Sequence, residues 1–222
     1  MPPSGIAPER RPPRAAIGLL LAGLAVFGLL AVLVLLAEPA LLAIDRPLSE
    51  ALRADRGDVL AEVMRGISLL GSRAVIGGIL LALTLWAIVT RECQRTVGIV
   101  LVVFAVAMVL EWTLKAGIGR LRPEEAFALT RVTTAAFPSG HALGSAAVYA
   151  ILAVALGGGA RGHALVWLLI AAIGVSRVVL GVHWPSDVLG GIALGAAIAA
   201  GGVLALRGHR LDPKRCPGGH GT

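Results

Sequence analysis

The sequence predicts an all-α integral membrane protein with six transmembrane helices and an amphipathic extracytoplasmic segment between the first two. Of the 222 residues, 57% are hydrophobic and only 15% are charged, whereas roughly a quarter of a soluble chain is charged. The mean hydropathy is +0.85, and the chain has only two cysteines. These observations exclude a soluble globular protein, a disordered chain and a disulfide scaffold.

The first predicted span covers residues 17–36, which contain no charged side chain. This stretch is about long enough to cross a hydrocarbon core of roughly 30 Å. A cleavable signal peptide is the alternative, but its apolar region is usually only about 7–15 residues long. We therefore favour an uncleaved first span.

Five further apolar runs complete the predicted set of spans. They cover residues 74–89, 97–114, 142–160, 164–182 and 188–206. The last three are rich in Gly and Ala, which allows transmembrane helices to approach closely. The predicted organisation is an N-terminal tail (1–16), a six-helix membrane domain (17–206) and a C-terminal tail (207–222).

Residues 37–73 are predicted to form the amphipathic segment between the first two spans. Apolar residues recur there at near-helical spacing, with charged residues between them. Asp45 is a candidate N-cap ahead of Pro47, and Gly57 is expected to break the helix. We interpret this segment as a helix on the membrane surface rather than as a functional site.

The charge distribution predicts how the chain is oriented in the membrane. With the N-terminus inside, the inner segments hold ten of the 20 basic residues but only three of the 13 acidic ones. Because the basic residues are divided equally, the asymmetry in net charge carries the prediction. Both termini are then cytoplasmic, in the cell membrane. Cys93 and Cys216 would lie in a reducing compartment, so no disulfide is expected.

Three polar clusters interrupt this apolar sequence. They are residues 115–123 (KAGIGRLRP), 137–141 (FPSGH) and 176–187 (SRVVLGVHWPSD). The loops after the third and fifth spans are separated by two crossings, so they share one face of the membrane. The clusters can therefore form one pocket, whichever orientation is correct.

The residue types in these clusters predict a site for a tetrahedral anion, most simply phosphate. Lys115, Arg122 and Arg177 supply positive charge, and a guanidinium group can donate two parallel hydrogen bonds to two phosphate oxygens. Ser139 and Gly140 open a predicted helix, where unpaired backbone N–H groups attract anions. Gly140 also allows the backbone to approach the ligand closely.

Two histidines can supply the chemistry. His183 and Asp187 are four residues apart, with Pro185 between them at a predicted helix start. Asp187 could orient one ring nitrogen of His183 and leave the other as a nucleophile. His141, beside the anion site, could protonate the leaving oxygen and then activate water.

Some of these residues also have simpler interpretations. Ser139 could be only a helix cap, and no G-x-S-x-G motif supports it as a nucleophile. A metal site formed by His141, His183 and Asp187 is disfavoured because nearby cations would repel a metal ion.

The charged residues near the first cluster also have structural interpretations. Lys115 could be an interfacial side chain, paired with Glu111 one helical turn earlier. Arg120 and Arg131 are interpreted as solvated loop charges.

Taken together, the three clusters resemble the signature of the type 2 phosphatidic acid phosphatase superfamily, K-x6-RP, PSGH and SR-x5-H-x3-D, which they fill without a departure. The resemblance extends over roughly residues 17–206. It implies dephosphorylation without a metal through a phosphohistidine on His183, with Asp187 orienting it and His141 as acid and base. The phosphate-binding residues that it implies are Lys115, Arg122, Ser139, Gly140 and Arg177.

The resemblance further implies a six-helix fold with its active site on the extracytoplasmic face. Soluble vanadium haloperoxidases are similar in this pocket, but the six predicted spans disfavour that class.

The predicted function is hydrolysis of a lipid phosphate or pyrophosphate monoester, of the phosphatidic acid, phosphatidylglycerophosphate or polyprenyl pyrophosphate class. We expect no metal, no cofactor and no nucleic-acid partner, since aromatic residues make up only 4% of the chain. A phosphotransferase using the same phosphohistidine is a close alternative, and an anion transporter or channel is a distant one. The sequence predicts neither the particular lipid nor the oligomeric state.

Overall fold

The computed structural model describes residues 14–53, 58–123, 133–206 and 211, and all regular structure within them is helical. The helices are α1 (Arg14–Leu36), α2 (Glu38–Leu52), α3 (Val59–Leu70), α4 (Arg73–Thr90), α5 (Gln94–Ile118), α6 (Gly140–Ala155), α7 (Ala160–Val179) and α8 (Pro185–Leu206). The prediction of an all-α protein is therefore confirmed for the described part of the chain.

Five stretches of the described residues are long and apolar enough to cross a membrane. They are Arg14–Leu36, Val59–Thr90, Gln94–Ile118, Ala160–Val179 and Pro185–Leu206. The second joins α3 and α4 across a short turn. Helix α6 is also apolar, but its 16 residues are fewer than the roughly 20 that span a bilayer. The prediction of six spans therefore remains a prediction.

Helix α6 ends earlier than the sequence pattern predicts. The apolar run continues to residue 160, but the helix ends at Ala155. Gly157 follows with a left-handed φ of 73°, a conformation that glycine adopts readily and that commonly ends a helix. The apolar pattern therefore overestimated α6, because it also counted the glycines of the following turn.

The segment between α1 and α4 differs from its prediction. Asp45 is not an N-cap, because α2 begins at Glu38 and includes both Asp45 and Pro47. The Asp45 side chain is only 2% exposed and accepts a hydrogen bond from the backbone N–H of Ser186 at 3.0 Å. One face of α2 is thus fixed to the start of α8, while Gly57 lies outside the described residues.

The bundle is built around α8, which packs mainly against α6 and α1. Small residues bring these helices close together. A Cβ added to Gly195 of α8 would lie 2.4 Å from the carbonyl oxygen of Leu143 in α6, so only glycine fits at this crossing. Because α6 and α8 approach so closely, their first turns also lie side by side.

The expectation of reduced cysteines is wrong for the described part of the chain. Cys93, in the turn between α4 and α5, is disulfide-bonded. The prediction of reduced cysteines assumed that this turn lies in the reducing cytoplasm. The disulfide is therefore also relevant to the predicted orientation of the chain in the membrane.

Candidate active site

The three polar clusters meet at one end of the bundle, beside the first turns of α6 and α8. The backbone N–H of Ser139 donates to the carbonyl oxygen of Asp187 at 3.0 Å, which joins the starts of these two helices. The Nη1 atom of Arg122 lies 3.1 Å from Nε2 of His183, which joins the loop after α5 to the loop before α8. Residues far apart in the sequence therefore share one small region.

Arg122 connects two loops through its whole guanidinium group. Its Nε atom donates to the carbonyl oxygen of Thr134 at 2.6 Å, and Nη2 donates to Thr134 Oγ1 and to the Ala135 carbonyl oxygen, each at 3.2 Å. Nη1 donates to the Val182 carbonyl oxygen and faces His183. Burial lowers the pKa of Arg122. These contacts fix both the cation and the ring beside it.

The protonation state of His183 follows from its neighbours. A guanidinium group has only donors, so Nε2 of His183 must accept from Arg122 through a lone pair. The other ring nitrogen, Nδ1, then carries the proton and faces Oδ2 of Asp187 at 3.4 Å. Burial, followed by the charges of Arg122, Lys115 and Arg177, holds the pKa of His183 well below its ordinary value. The ring is therefore neutral near pH 7.

Asp187 is held from several sides at the first turn of α8. Its Oδ2 atom accepts a hydrogen bond from the backbone N–H of Trp184 at 2.9 Å, and its Oδ1 atom accepts from Nη1 of Arg120 at 2.5 Å. The side chain is fully buried. Its orientation towards His183 is thus fixed by the loop and by a second cation.

Two further cations lie in the same region. Lys115, near the end of α5, is mostly buried and donates to the carbonyl oxygen of Ala135 at 2.8 Å. Arg177, near the end of α7, is buried and donates to Oγ of Ser68. The Nε atom of Arg177 has no hydrogen-bond partner among the described residues.

Ser139 occupies the N-cap position of α6 without acting as a side-chain cap. Its hydroxyl group is buried and, within the described part of the chain, has no partner. Leaving a buried polar group unpaired costs about 1–3 kcal/mol. The unpaired Ser139 hydroxyl and Arg177 Nε therefore favour a site that is completed by a polar ligand.

Gly140 and Glu111 are in direct contact. A Cβ added to Gly140 would lie 2.1 Å from Oε1 of Glu111, so this carboxylate lies against the first turn of α6. The predicted ion pair with Lys115 is present at 3.7 Å, but the shorter contact of Glu111 is with Nη2 of Arg73 at 2.7 Å.

His141 is less constrained than the other predicted site residues. It lies in the first turn of α6 and is partly exposed, and its side chain makes no hydrogen bond to the described residues. It lies close enough to Arg177, Arg73 and Lys115 to interact with their charges, and it neighbours the His183 ring. The ring therefore borders the cationic region.

Arg120 is the main structural feature of the site that sequence reasoning missed. It is buried, not solvated, and Nη1 donates to Oγ of Ser186 at 2.7 Å as well as to Asp187. Nη2 donates to Oδ2 of Asp45 at 2.8 Å. Burial opposes the charge, but the two carboxylates outweigh it and raise the pKa of Arg120. Arg131, interpreted in the same way, lies outside the described residues.

One sequence signal could have indicated the Arg120 network. Asp45 follows an apolar run, ALLAI, where an acidic residue indicates either exposure at a helix end or a buried partner. The basic partner was 75 residues away, so the pattern alone could not identify it.

Comparison with known proteins identifies a matching family model and related sequences. The model of the PAP2 superfamily matches residues 96–210, which include every predicted site residue. Phosphatidylglycerophosphatase B of Bacillus subtilis (strain 168) is 33% identical over 159 residues, covering 68% of this chain and 77% of that protein. Decaprenylphosphoryl-5-phosphoribose phosphatase of Mycobacterium tuberculosis (strain H37Rv) is 36% identical over 149 residues, covering 66% and 80%.

Solved structures show the same similarity. A transmembrane PAP2-type phosphatidylglycerolphosphate phosphatase from Bacillus subtilis superposes with a TM-score of 0.71 at 29% identity, over 83% of this chain and 92% of that one. LpxE of Aquifex aeolicus shares the fold, with a TM-score of 0.60 at 21% identity over 72% and 94%. These relatives and the apolar helices support an integral membrane protein and a hydrolase of the phosphatase type.

Proposed function

The chain belongs to the PAP2 superfamily, and from this premise we propose that it hydrolyses a lipid phosphate or pyrophosphate monoester through a phosphohistidine on His183. The observation that carries the proposal is the position of the His183 ring. Its Nε2 lone pair lies beside Arg122 while Nδ1 faces Asp187. A neutral, oriented imidazole among cations is suited to attack on a phosphate group.

In the first step, Nε2 of His183 attacks phosphorus and the bond to the lipid oxygen breaks. The electron pair goes to that oxygen, which takes a proton from His141. Asp187 stabilises the positive charge that develops on the His183 ring. Burial and then the surrounding cations disfavour a protonated His141, and the negative charge of a bound phosphate offsets the cations.

In the second step, the phosphohistidine is hydrolysed. His141, now neutral, takes a proton from water while the water oxygen attacks phosphorus. The phosphorus–nitrogen bond breaks and its electron pair returns to Nε2. The products are inorganic phosphate and the lipid alcohol, or the lipid monophosphate when the substrate is a pyrophosphate, and His183 and His141 return to their starting states.

We assign the binding of the transferred phosphoryl group to the cations and donors around His183. The members are Lys115, Arg122, Ser139, Gly140 and Arg177. Stabilising charge on the phosphoryl oxygens supplies most of the catalysis in this class of reaction. The unpaired Ser139 hydroxyl and Arg177 Nε support this assignment, because a phosphate oxygen would satisfy both.

The substrate class is supported by the relatives. The protein from Bacillus subtilis is named for phosphatidylglycerophosphate, and the one from Mycobacterium tuberculosis for decaprenylphosphoryl-5-phosphoribose. Each name describes a lipid with a terminal phosphate. The candidate site lies where apolar helices begin and end, so a lipid could keep its tail in the bilayer and its headgroup in the pocket.

The test is a phosphate-release panel with purified protein in mixed micelles, carried out throughout in excess EDTA. We expect phosphate release from at least one lipid phosphate, because the proposed reaction uses no metal. Each mole of phosphate should accompany one mole of dephosphorylated lipid. Activity that requires a divalent metal would refute the metal-independent mechanism, and phosphorylated acceptor in place of free phosphate would indicate a phosphotransferase.

We also propose six spans, with α6 as the fourth. Helix α6 is almost entirely buried among its neighbours, so its short length is shielded from lipid by protein. The membrane domain then covers residues 17–206, with residues 1–16 and 207–222 as tails on one face.

The proposed orientation places both tails in the cytoplasm and the active site on the extracytoplasmic face of the cell membrane. The net-charge asymmetry supports it, whereas the disulfide at Cys93 opposes it, because disulfides are rare in the cytoplasm. Reporter proteins fused to the C-terminus show on which side of the membrane that terminus lies. We expect fluorescence from a green fluorescent protein fusion and no activity from an alkaline phosphatase fusion; the reverse result would invert the topology.

A further inference from the structure

Arg73 is a cation at the candidate site that lies outside all three sequence clusters. It is the first residue of α4, and its side chain is 69% exposed. Its Nη2 atom donates to Oε1 of Glu111 at 2.7 Å, and Glu111 is its only hydrogen-bond partner among the described residues. The remaining guanidinium donors are therefore available to a ligand.

Glu111 places this cation next to the proposed phosphate-binding residues. The Glu111 side chain is only 3% exposed, and its Oε1 atom lies 3.7 Å from Nζ of Lys115. The same carboxylate lies against Gly140 at the start of α6. One buried carboxylate thus connects the exposed Arg73 with two residues of the pocket.

Arg73 differs in position from the other cations of the pocket. The strongest charges acting on the His183 ring come from Arg122, Lys115 and Arg177, whereas Arg73 is among the cations that act on His141 and Lys115. Arg73 is also the exposed member of the set. It therefore lies at the edge of the pocket, with free donors, and not among the buried cations around the reacting ring.

We infer that Arg73, held by Glu111 at the edge of the pocket, binds a second phosphate group in the lipid headgroup. This inference rests on the proposed function and narrows its substrate class. A headgroup with a phosphodiester or second phosphoryl group can contact Arg73 while its terminal phosphate lies among the buried cations. A headgroup with a single phosphate leaves Arg73 without a ligand. A guanidinium fork is suited to this task, since it binds phosphate oxygens in pairs.

The test compares two lipids that have identical acyl chains. Phosphatidylglycerophosphate carries a phosphodiester and a terminal phosphate, and phosphatidic acid carries the terminal phosphate alone. For Arg73→Gln we expect kcat/KM to fall about tenfold with phosphatidylglycerophosphate, the loss of one charge-assisted contact, mainly through KM. With phosphatidic acid the change should stay within about twofold. Arg73→Lys should fall between the wild type and Arg73→Gln.

Arg46→Gln is the matched control. Arg46 is exposed on α2, beside the buried Asp45, so this variant removes the same charge near the same end of the bundle. It should leave the preference between the two lipids unchanged. Turnover of phosphatidic acid also verifies that each variant is folded.

Two other results for Arg73→Gln would contradict the inference. Equal losses with both lipids in Arg73→Gln would assign Arg73 to the terminal phosphate and refute the inference, as would no loss with either lipid. If the wild type releases phosphate from neither of these lipids but is active on another lipid phosphate, the inference fails and the proposed function stands; no release from any lipid phosphate in the panel refutes both. A wild type that is active, whatever the result for Arg73, leaves the proposed function standing.

Discussion

His183→Ala is expected to abolish phosphate release while the protein remains folded in the membrane. The variant loses the only atom proposed to bond to phosphorus, so the loss should be about a thousandfold or more. Initial rates of phosphate release, measured on the lipid preferred by the wild type, check the magnitude. Size-exclusion chromatography in detergent checks that the variant is folded.

A phosphoenzyme measurement separates a nucleophile from a residue that only shapes the pocket. Wild-type protein quenched during turnover of a radiolabelled lipid phosphate should retain acid-labile label, and His183→Ala should retain none. His163→Ala is the control, because His163 lies near the start of α7, at the opposite end of that helix from the site. Normal turnover by His183→Ala would remove His183 as the nucleophile.

The sequence predicted those parts of the site that depend on local spacing. His183 and Asp187 are separated by one helical turn, and the structure places the two side chains at 3.4 Å. Lys115 and Glu111 are similarly spaced on α5 and form the predicted ion pair. In both cases the distance along the chain is short, so local geometry brings the side chains together: one turn of α5 for Glu111 and Lys115, and the turn that leads into α8 for His183 and Asp187.

The sequence did not predict the contacts that join distant segments. Asp45 and Arg120 are 75 residues apart, and Arg73 and Glu111 are 38 apart. Which charges meet depends on how the helices pack, and this packing is set by close approaches such as that of Gly195 to Leu143. The burial of Arg120 also could not be predicted from the sequence, because a charged side chain in a loop is usually exposed unless tertiary packing covers it.

The contacts of Arg120 give the site two layers. In the inner layer, Oδ2 of Asp187 faces Nδ1 of His183 at 3.4 Å. In the outer layer, Arg120 forms ion pairs with Asp187 and with Asp45 on α2. A carboxylate that must stabilise a transient positive charge works best when it cannot rotate away. The segment before α4 therefore supports the site, although it carries none of the recognised motifs.

Arg120→Met is accordingly expected to reduce both stability and activity. Methionine fills much of the space of the arginine stem, but it leaves the buried carboxylates of Asp45 and Asp187 without their cation. Breaking a buried pair in this way costs about 3–5 kcal/mol, or a fall of about 10 °C in the thermal midpoint. Activity should fall further than the folded fraction does, because Asp187 loses the contact that orients it.

The double variant Arg120→Met/Asp45→Asn distinguishes a positioning role from simple destabilisation. Removing the Asp45 charge eliminates one of the two unpaired carboxylates, so the thermal midpoint should recover in part. Phosphate release should not recover, since Asp187 still lacks its partner. Thermal unfolding in detergent and kcat on the preferred lipid measure the two effects separately. If stability and activity recover together, Arg120 supports the fold alone and the two-layer arrangement is wrong.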